Sequence, residues 1–111
     1  PGARVLGKGG LAAGHRLILT KPLGTGVLLA GAMRGVAHTD EVEAALAVMD
    51  RSNAPALECF VRHGVTALTD VTGFGLLGHL AEMLRASGVG TTLAAGAVPL
   101  LAGAQALVEA G

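Results

Sequence analysis

The chain has no tryptophan, no tyrosine and only two phenylalanines, so aromatics supply 2% of its residues. Its core must be built from aliphatic side chains and methionine, a palette that suits helices lying on a sheet. Cysteine is nearly absent as well, since Cys59 stands alone. That excludes an intrachain disulfide and the paired spacing of a zinc site, and it fits a reducing cytoplasm. A lone cysteine of this kind is expected to act as a small buried hydrophobe. Neither sign of charge dominates, with eight basic residues against eight acidic ones. Without a basic stripe to neutralise a phosphate backbone, nucleic-acid binding is not expected. Long apolar runs are also missing: residues 17–33 come nearest but are broken by Lys21, Pro22 and several glycines. A membrane span needs about 20 apolar residues in a row, so no membrane association is expected. With no signal-peptide pattern either, a cytoplasmic protein is the expectation.

What is present is apolar surface. Hydrophobic residues make up 51% of the 111 positions and the mean hydropathy is +0.61, enough for one compact domain. Residues 1–14 hold five glycines and scattered basic residues, a composition expected of a linker or loop remnant. The organised domain is expected over residues 15–111. Because the sequence opens at Pro1 without a methionine, it is expected to be a processed or excised piece of something longer.

Periodicity then gives the elements. Arg16 to Thr20 is a short apolar run expected to form a buried strand, stopped by Lys21-Pro22. Val27 to Arg34 is apolar on all sides, as in a buried helix closed by Gly35. Asp40, with Glu43 three residues on, has the form of a capping box. Val42, Ala45, Leu46 and Met49 follow at i, i+3, i+4 and i+7, which predicts an amphipathic helix. Ser52-Asn53 before Pro55 either caps a new helix carrying Leu57, Phe60 and Val61 or marks a kink in a continuous one, ending at Gly64. Val65 to Thr69 is rich in β-branched residues and predicts a second strand. Leu76, Leu77, Leu80, Met83 and Leu84 predict a helix up to Ser87-Gly88; Gly90 to Ala95 is a weaker strand candidate, and Pro99 is expected to open a last helix through Val108. Strands alternating with helices argue for an α/β fold of layered, sandwich-like build.

The segment with most chemical content is Thr69-Asp70-Val71-Thr72-Gly73-Phe74-Gly75, placed between a predicted strand and a predicted helix. Free N–H groups and the dipole at a helix start attract anions, phosphate above all. A carboxylate beside phosphate would repel it unless a Mg²⁺ ion lies between them, so Asp70 has the character of a metal ligand. The plain alternative is that Asp70 caps the following turn, and by pattern alone the two readings stand level. Thr69, Thr72 and Gly73 rank below it as phosphate contacts, because loop threonines commonly bond to their own backbone. Gly73-Phe74-Gly75-Leu76-Leu77-Gly78 also spells the glycine pattern of dinucleotide-binding oxidoreductases. That pattern expects an acidic residue roughly 20 positions onward to hold a ribose, and residues 90–98 contain none, so a false match is the better reading. Lys21-Pro22-Leu23-Gly24-Thr25-Gly26 sits at a similar junction, where Lys21 is expected to be a solvated lysine beside a structural turn. His15, His38, His63 and His79 are not expected to form a metal site with one another or with Cys59. His79 is expected to be a surface or packing residue.

The segments Leu19 to Gly26 and Thr69 to Leu80, followed by Val98-Pro99-Leu100-Leu101 and Gly103-Ala104, resemble those of the selenophosphate synthetases (selenide, water dikinases). The likeness runs from about His15 to the end and corresponds to the front portion of that family's C-terminal domain, within the superfamily of aminoimidazole ribonucleotide synthetase. The resemblance implies a parent enzyme that converts selenide, ATP and water to selenophosphate, AMP and phosphate. It implies that Asp70 is a Mg²⁺ ligand at the ATP phosphates, and that the catalytic cysteine or selenocysteine, its lysine and further metal-binding aspartates belong to an N-terminal domain. It also implies a homodimer. His15 departs from the aspartate common in the family at that place. Alone, this portion is expected to be inactive and to act at most as a packing or dimerisation module, with uncovered apolar faces prone to self-association.

Overall fold

The computed structural model describes residues 7–72 and 75–111. Five α-helices and one turn of 3₁₀-helix follow in order: α1 Thr25–Met33, α2 Thr39–Asp50, α3 Ala54–Arg62, α4 Gly75–Ser87, the 3₁₀ turn Ala95–Ala97, and α5 Ala104–Ala110. The chain divides into two compact units. One comprises the residues up to Ile18 together with Ala56–Thr92; the other comprises Leu19–Pro55 and Leu93–Gly111.

The second unit is built on α1. Leu28 is wholly buried and is surrounded by Ala45 and Val48 of α2 and by Leu101 and Ala104, with Val27 and Leu107 packed against them. Burying one such leucine contributes about 2 kcal/mol. The bulk of α1 is small and apolar, which lets α5 come close: a Cβ added at Gly31 would stand 2.8 Å from a methyl carbon of Leu107. Before α1, Leu23 makes an isolated parallel bridge with Leu100. The Leu23 N–H donates to Pro99 O at 2.9 Å and the Leu101 N–H donates to Leu23 O at 2.8 Å. This bridge brings the Lys21–Gly26 turn beside the Val98–Leu101 segment. Gly24 then takes a left-handed conformation, φ 118°, with its α-carbon so near Ala104 that a Cβ would lie 2.6 Å from that residue's own. No L side chain suits both demands.

The α2 helix starts earlier than the Asp40–Glu43 spacing predicts. His38, with an extended ψ of 146°, is the N-cap, and the Glu41 carboxylate accepts the His38 N–H at 3.2 Å. Asp40 and Glu41 then lie in the first turn, where the dipole favours negative charge. The buried stripe is shifted too: Ala45 and Val48 are buried, whereas Leu46 and Met49 remain half in solvent. Arg51 turns out of the helix with ψ 124°, and the Ala54 N–H donates to Ser52 Oγ at 3.1 Å. Ser52-Asn53 therefore separates two helices, with Pro55 in the first turn of α3, where its missing N–H costs nothing.

In the first unit, α4 buries His79, Leu80 and Met83 and leaves Leu77 71% exposed. The α3 helix buries none of its residues, and Leu57 and Val61 are exposed. Residues 8–11 run beside the end of α4: the N–H groups of Gly10 and Leu11 both donate to Ser87 Oγ, at 3.2 and 3.0 Å, and Lys8 pairs with Glu82.

The three predicted strands do not form. Residues 16–20, 65–69 and 90–94 are without regular structure in the described chain, and the 3₁₀ turn occupies Ala95–Ala97. A strand is defined by its ladder, and β-branched residues supply only a preference for extended backbone. Residues 65–69 find two bonds beside them, Leu68 N–H to Gly7 O at 3.0 Å and Thr66 Oγ1 to Gly10 O at 2.8 Å, but no repeating pair among the described residues. Pairing is not written in the pattern, because the partner is a non-local property. The last helix is also shorter than expected, beginning at Ala104 after Gly103 and not at Pro99, since the Leu23–Leu100 bridge holds residues 99–101 extended.

Candidate functional site

The Asp70 loop follows residues 65–69 and leads into α4. Asp70 is exposed, and its carboxylate accepts no hydrogen bond among the described residues. Thr69 is half-buried, and its hydroxyl donates to the Asp70 carbonyl at 3.1 Å, the local bonding common for a loop threonine. Thr72 is held twice. The Gly75 N–H donates to its carbonyl at 2.9 Å, and its hydroxyl is hydrogen-bonded to His79 Nε2, also at 2.9 Å. Gly73 and Phe74 lie outside the described residues.

His79 is 6% exposed and lies five positions into α4, on the face that carries Leu80 and Met83. It is not the surface residue that the sequence allowed. The partners were hidden in the sequence because Thr72 is seven positions away, a separation no helical periodicity flags. On the other side of the ring, Nδ1 is 4.0 Å from Glu82 Oε1. Lys8 holds the Glu82 carboxyl below its ordinary range, by a hydrogen bond first and by its charge second; His79 and Arg85 lower it further. The Lys8–Glu82 pair joins residues 74 positions apart and could not have been read from spacing.

Lys21 is not merely solvated. Its ammonium donates to the Arg51 carbonyl at 2.6 Å and so satisfies a backbone acceptor just past the end of α2, where cations are favoured. Cys59 is exposed and is not the buried hydrophobe expected, because α3 presents that side to solvent. Its sulfur is 3.7 Å from His63 Nδ1, which in turn is 2.8 Å from the Cys59 carbonyl oxygen. This i, i+4 pair was passed over in the sequence. No group of three or more metal-ligating side chains occurs among the described residues, so Asp70 could supply one ligand to an ion and no more. No helix among them is long and apolar enough to cross a membrane.

Chemically, the loop offers an exposed carboxylate flanked by two threonines, one of them anchored to the helix that follows. An oxygen-ligated cation such as Mg²⁺ accepts such a carboxylate together with waters and phosphate oxygens. Residues 12–110 match the C-terminal domain of AIR synthase related protein. Among curated relatives, the chain is 46% identical over 110 residues to a selenide, water dikinase of Myxococcus xanthus, covering 97% of this chain and 31% of that protein. It is 53% identical over 72 residues to one of Carboxydothermus hydrogenoformans, covering 65% of this chain and 21% of the relative. A third, from Geobacter metallireducens, is 45% identical over 98 residues, covering 88% and 29%. The chain thus spans about a third or less of the length of these relatives.

Proposed function

Because the chain belongs to the AIR synthase related protein family and carries its C-terminal domain, we propose that it forms part of a selenide, water dikinase, which makes selenophosphate, AMP and phosphate from selenide, ATP and water. The observation that carries this reading is the 46% identity to a protein of that name along almost the whole chain. By its resemblance to the family, the catalytic cysteine or selenocysteine and its lysine belong to an N-terminal domain, so the chemistry of the selenium atom falls to that part of the protein. Activity belongs to the full-length enzyme, a cytoplasmic homodimer; this portion by itself is inactive.

In this reading Asp70 contributes one carboxylate oxygen to a Mg²⁺ ion at the ATP phosphates. Its exposure and its lack of a hydrogen bond among the described residues fit that use. The ion, when bound, neutralises phosphate charge and orients the triphosphate. Thr69 and Thr72 stand beside the phosphates and shape the loop that presents Asp70, together with Gly73. A carboxylate that accepts no bond among the described residues binds an ion without first losing one of those contacts.

The test is selenide-dependent formation of AMP from ATP by the full-length protein that contains this chain, wild type against Asp70→Ala. Loss of two or more orders of magnitude is expected, as for removal of a metal-binding group at a transferring phosphoryl. Unchanged activity in the variant would sink the metal-ligand role, and absence of selenide-dependent AMP formation in the wild type would sink the dikinase reading. Exposure of Leu57 and Val61 on α3 favours a second role for the same domain, packing against other parts of the enzyme or its partner subunit.

A further inference from the structure

We propose that His79 is a positioning residue for the Asp70 loop: it grips the Thr72 hydroxyl and thereby fixes the backbone from which Asp70 and Thr69 meet Mg²⁺-ATP. This rests on the dikinase reading and adds to it a residue, outside the loop itself, on which the loop's geometry depends.

Four observations carry the assignment. The His79 ring is almost completely buried, although a polar ring is costly to bury unless it is bonded. Its Nε2 lies 2.9 Å from Thr72 Oγ1. The Thr72 carbonyl is held independently by the first N–H of α4, from Gly75, at 2.9 Å. Main chain and side chain of one loop residue are therefore both tied to the same helix. Finally, the ring is backed by a charge pair: Glu82 Oε1 is 4.0 Å from Nδ1 and Glu82 is paired with Lys8. Lys8 belongs to the segment whose next residues donate two N–H groups to Ser87. The imidazole is thus packed between a loop anchor on one side and a charge-paired carboxylate on the other.

The consequence for Asp70 is geometric. Two residues of extended chain span about 7 Å at most, so a fixed Thr72 restricts where the Asp70 carboxylate can go. Without the His79 contact Thr72 keeps only its main-chain tie to Gly75, and the loop samples more conformations before it can bind. Binding energy is then spent on ordering, and the effect falls on nucleotide and metal affinity more than on the chemical step.

The experiment uses the full-length protein that carries this chain. Selenide-dependent AMP formation is measured over Mg²⁺-ATP concentration for His79→Ala, His79→Gln, Thr72→Val and the combination of His79→Ala with Thr72→Val. The first and third are each expected to raise KM about tenfold, the size of one lost hydrogen bond, with kcat changed less. The combination should be no worse than either single change, because both remove the same contact. Glutamine, whose amide reaches the region of Nε2, should recover most of the affinity. A second readout needs no turnover: in ¹⁵N spectra of the nucleotide-free protein, Thr72→Val should shift the His79 Nε2 resonance, whereas Asp70→Ala should leave it in place.

An unchanged Nε2 resonance in Thr72→Val overturns the contact. Unaltered KM in both His79→Ala and Thr72→Val, in a protein that Asp70→Ala inactivates, overturns the positioning role while leaving the dikinase reading intact. A silent Asp70→Ala removes the metal-ligand role and the positioning role together, while the dikinase reading stands or falls on the wild type. Should His79→Ala fail to fold, His79→Gln and the near-isosteric Thr72→Val at its exposed position carry the decision.

Discussion

Thr72 Oγ1 and His79 Nε2 lie 2.9 Å apart, a side-chain bond that ties the loop before α4 to the buried face of that helix. The bond turns Thr72 from a free phosphate-facing hydroxyl into a structural residue with some capacity left over, since a hydroxyl can donate once and accept twice. Removing it by Thr72→Val leaves His79 Nε2 without its loop partner in a buried position. The expected cost is about 1–3 kcal/mol of stability, read as a lower urea midpoint at unchanged slope.

Leu28 is the one large side chain with no exposure among the described residues, and it clusters with Ala45 and Val48 of α2 and with Leu101 and Ala104. Leu28→Ala should therefore leave a cavity that small neighbours such as Ala45 and Ala104 cannot fill. About 2–5 kcal/mol of destabilisation is expected by denaturant titration, enough to unfold a marginal domain.

Gly24→Ala should be harmful for two reasons that act together. The φ of 118° disfavours any Cβ, and the Cβ would press into Ala104. At least about 1 kcal/mol is expected, with a larger loss if α5 is displaced. A thermal melt no lower than that of the wild type would show that the close approach of Gly24 to Ala104 is relieved cheaply.

The Lys8–Glu82 pair predicts a pH effect with a definite sign. The Glu82 carboxyl is held below its ordinary range in the folded chain, chiefly by the hydrogen bond from Lys8 and then by its charge. Its stabilisation is complete above the unfolded value and is lost as pH falls through the lower, folded one. Acidification through the carboxylate range should thus weaken the tie between residue 8 and α4. Carboxyl ¹³C titration checks this: Lys8→Met should move the Glu82 midpoint upward. With the Glu82 side chain 34% exposed, salt should diminish the effect.

Lys21 offers a contrast to Asp70. Its ammonium is committed to the Arg51 carbonyl, so Lys21→Met should cost less than about 1 kcal/mol. In the full-length protein it should leave the KM for Mg²⁺-ATP within twofold. A large rise in KM with stability preserved would instead make Lys21 a phosphate contact.

Helices were legible where their signals are local. Gly35, Gly64 and Gly88 each follow a helix at the predicted stop, in the left-handed conformation that commonly ends helices. The α4 helix lies where Leu80 and Met83 placed it. The cap of α2 was misplaced from His38 to Asp40 because histidine is a rare N-cap, and the stripe on α2 shifted because several of its positions are equally apolar. Asp70, Thr69 and Thr72 were legible as one loop, from chain order alone.

By itself, the sequence determined the aliphatic core, the helix ends, the exposed carboxylate before α4 and the family likeness, because each is written in residue type and short spacing. Tertiary structure alone decided that Thr72 meets His79, that Lys8 meets Glu82 and Lys21 the Arg51 carbonyl, and that the β-branched segments form no ladder among the described residues. Each of these depends on a partner whose distance along the chain no local preference fixes, and ladder pairing, burial of a polar ring and charge pairing acquire their energies only when that partner arrives.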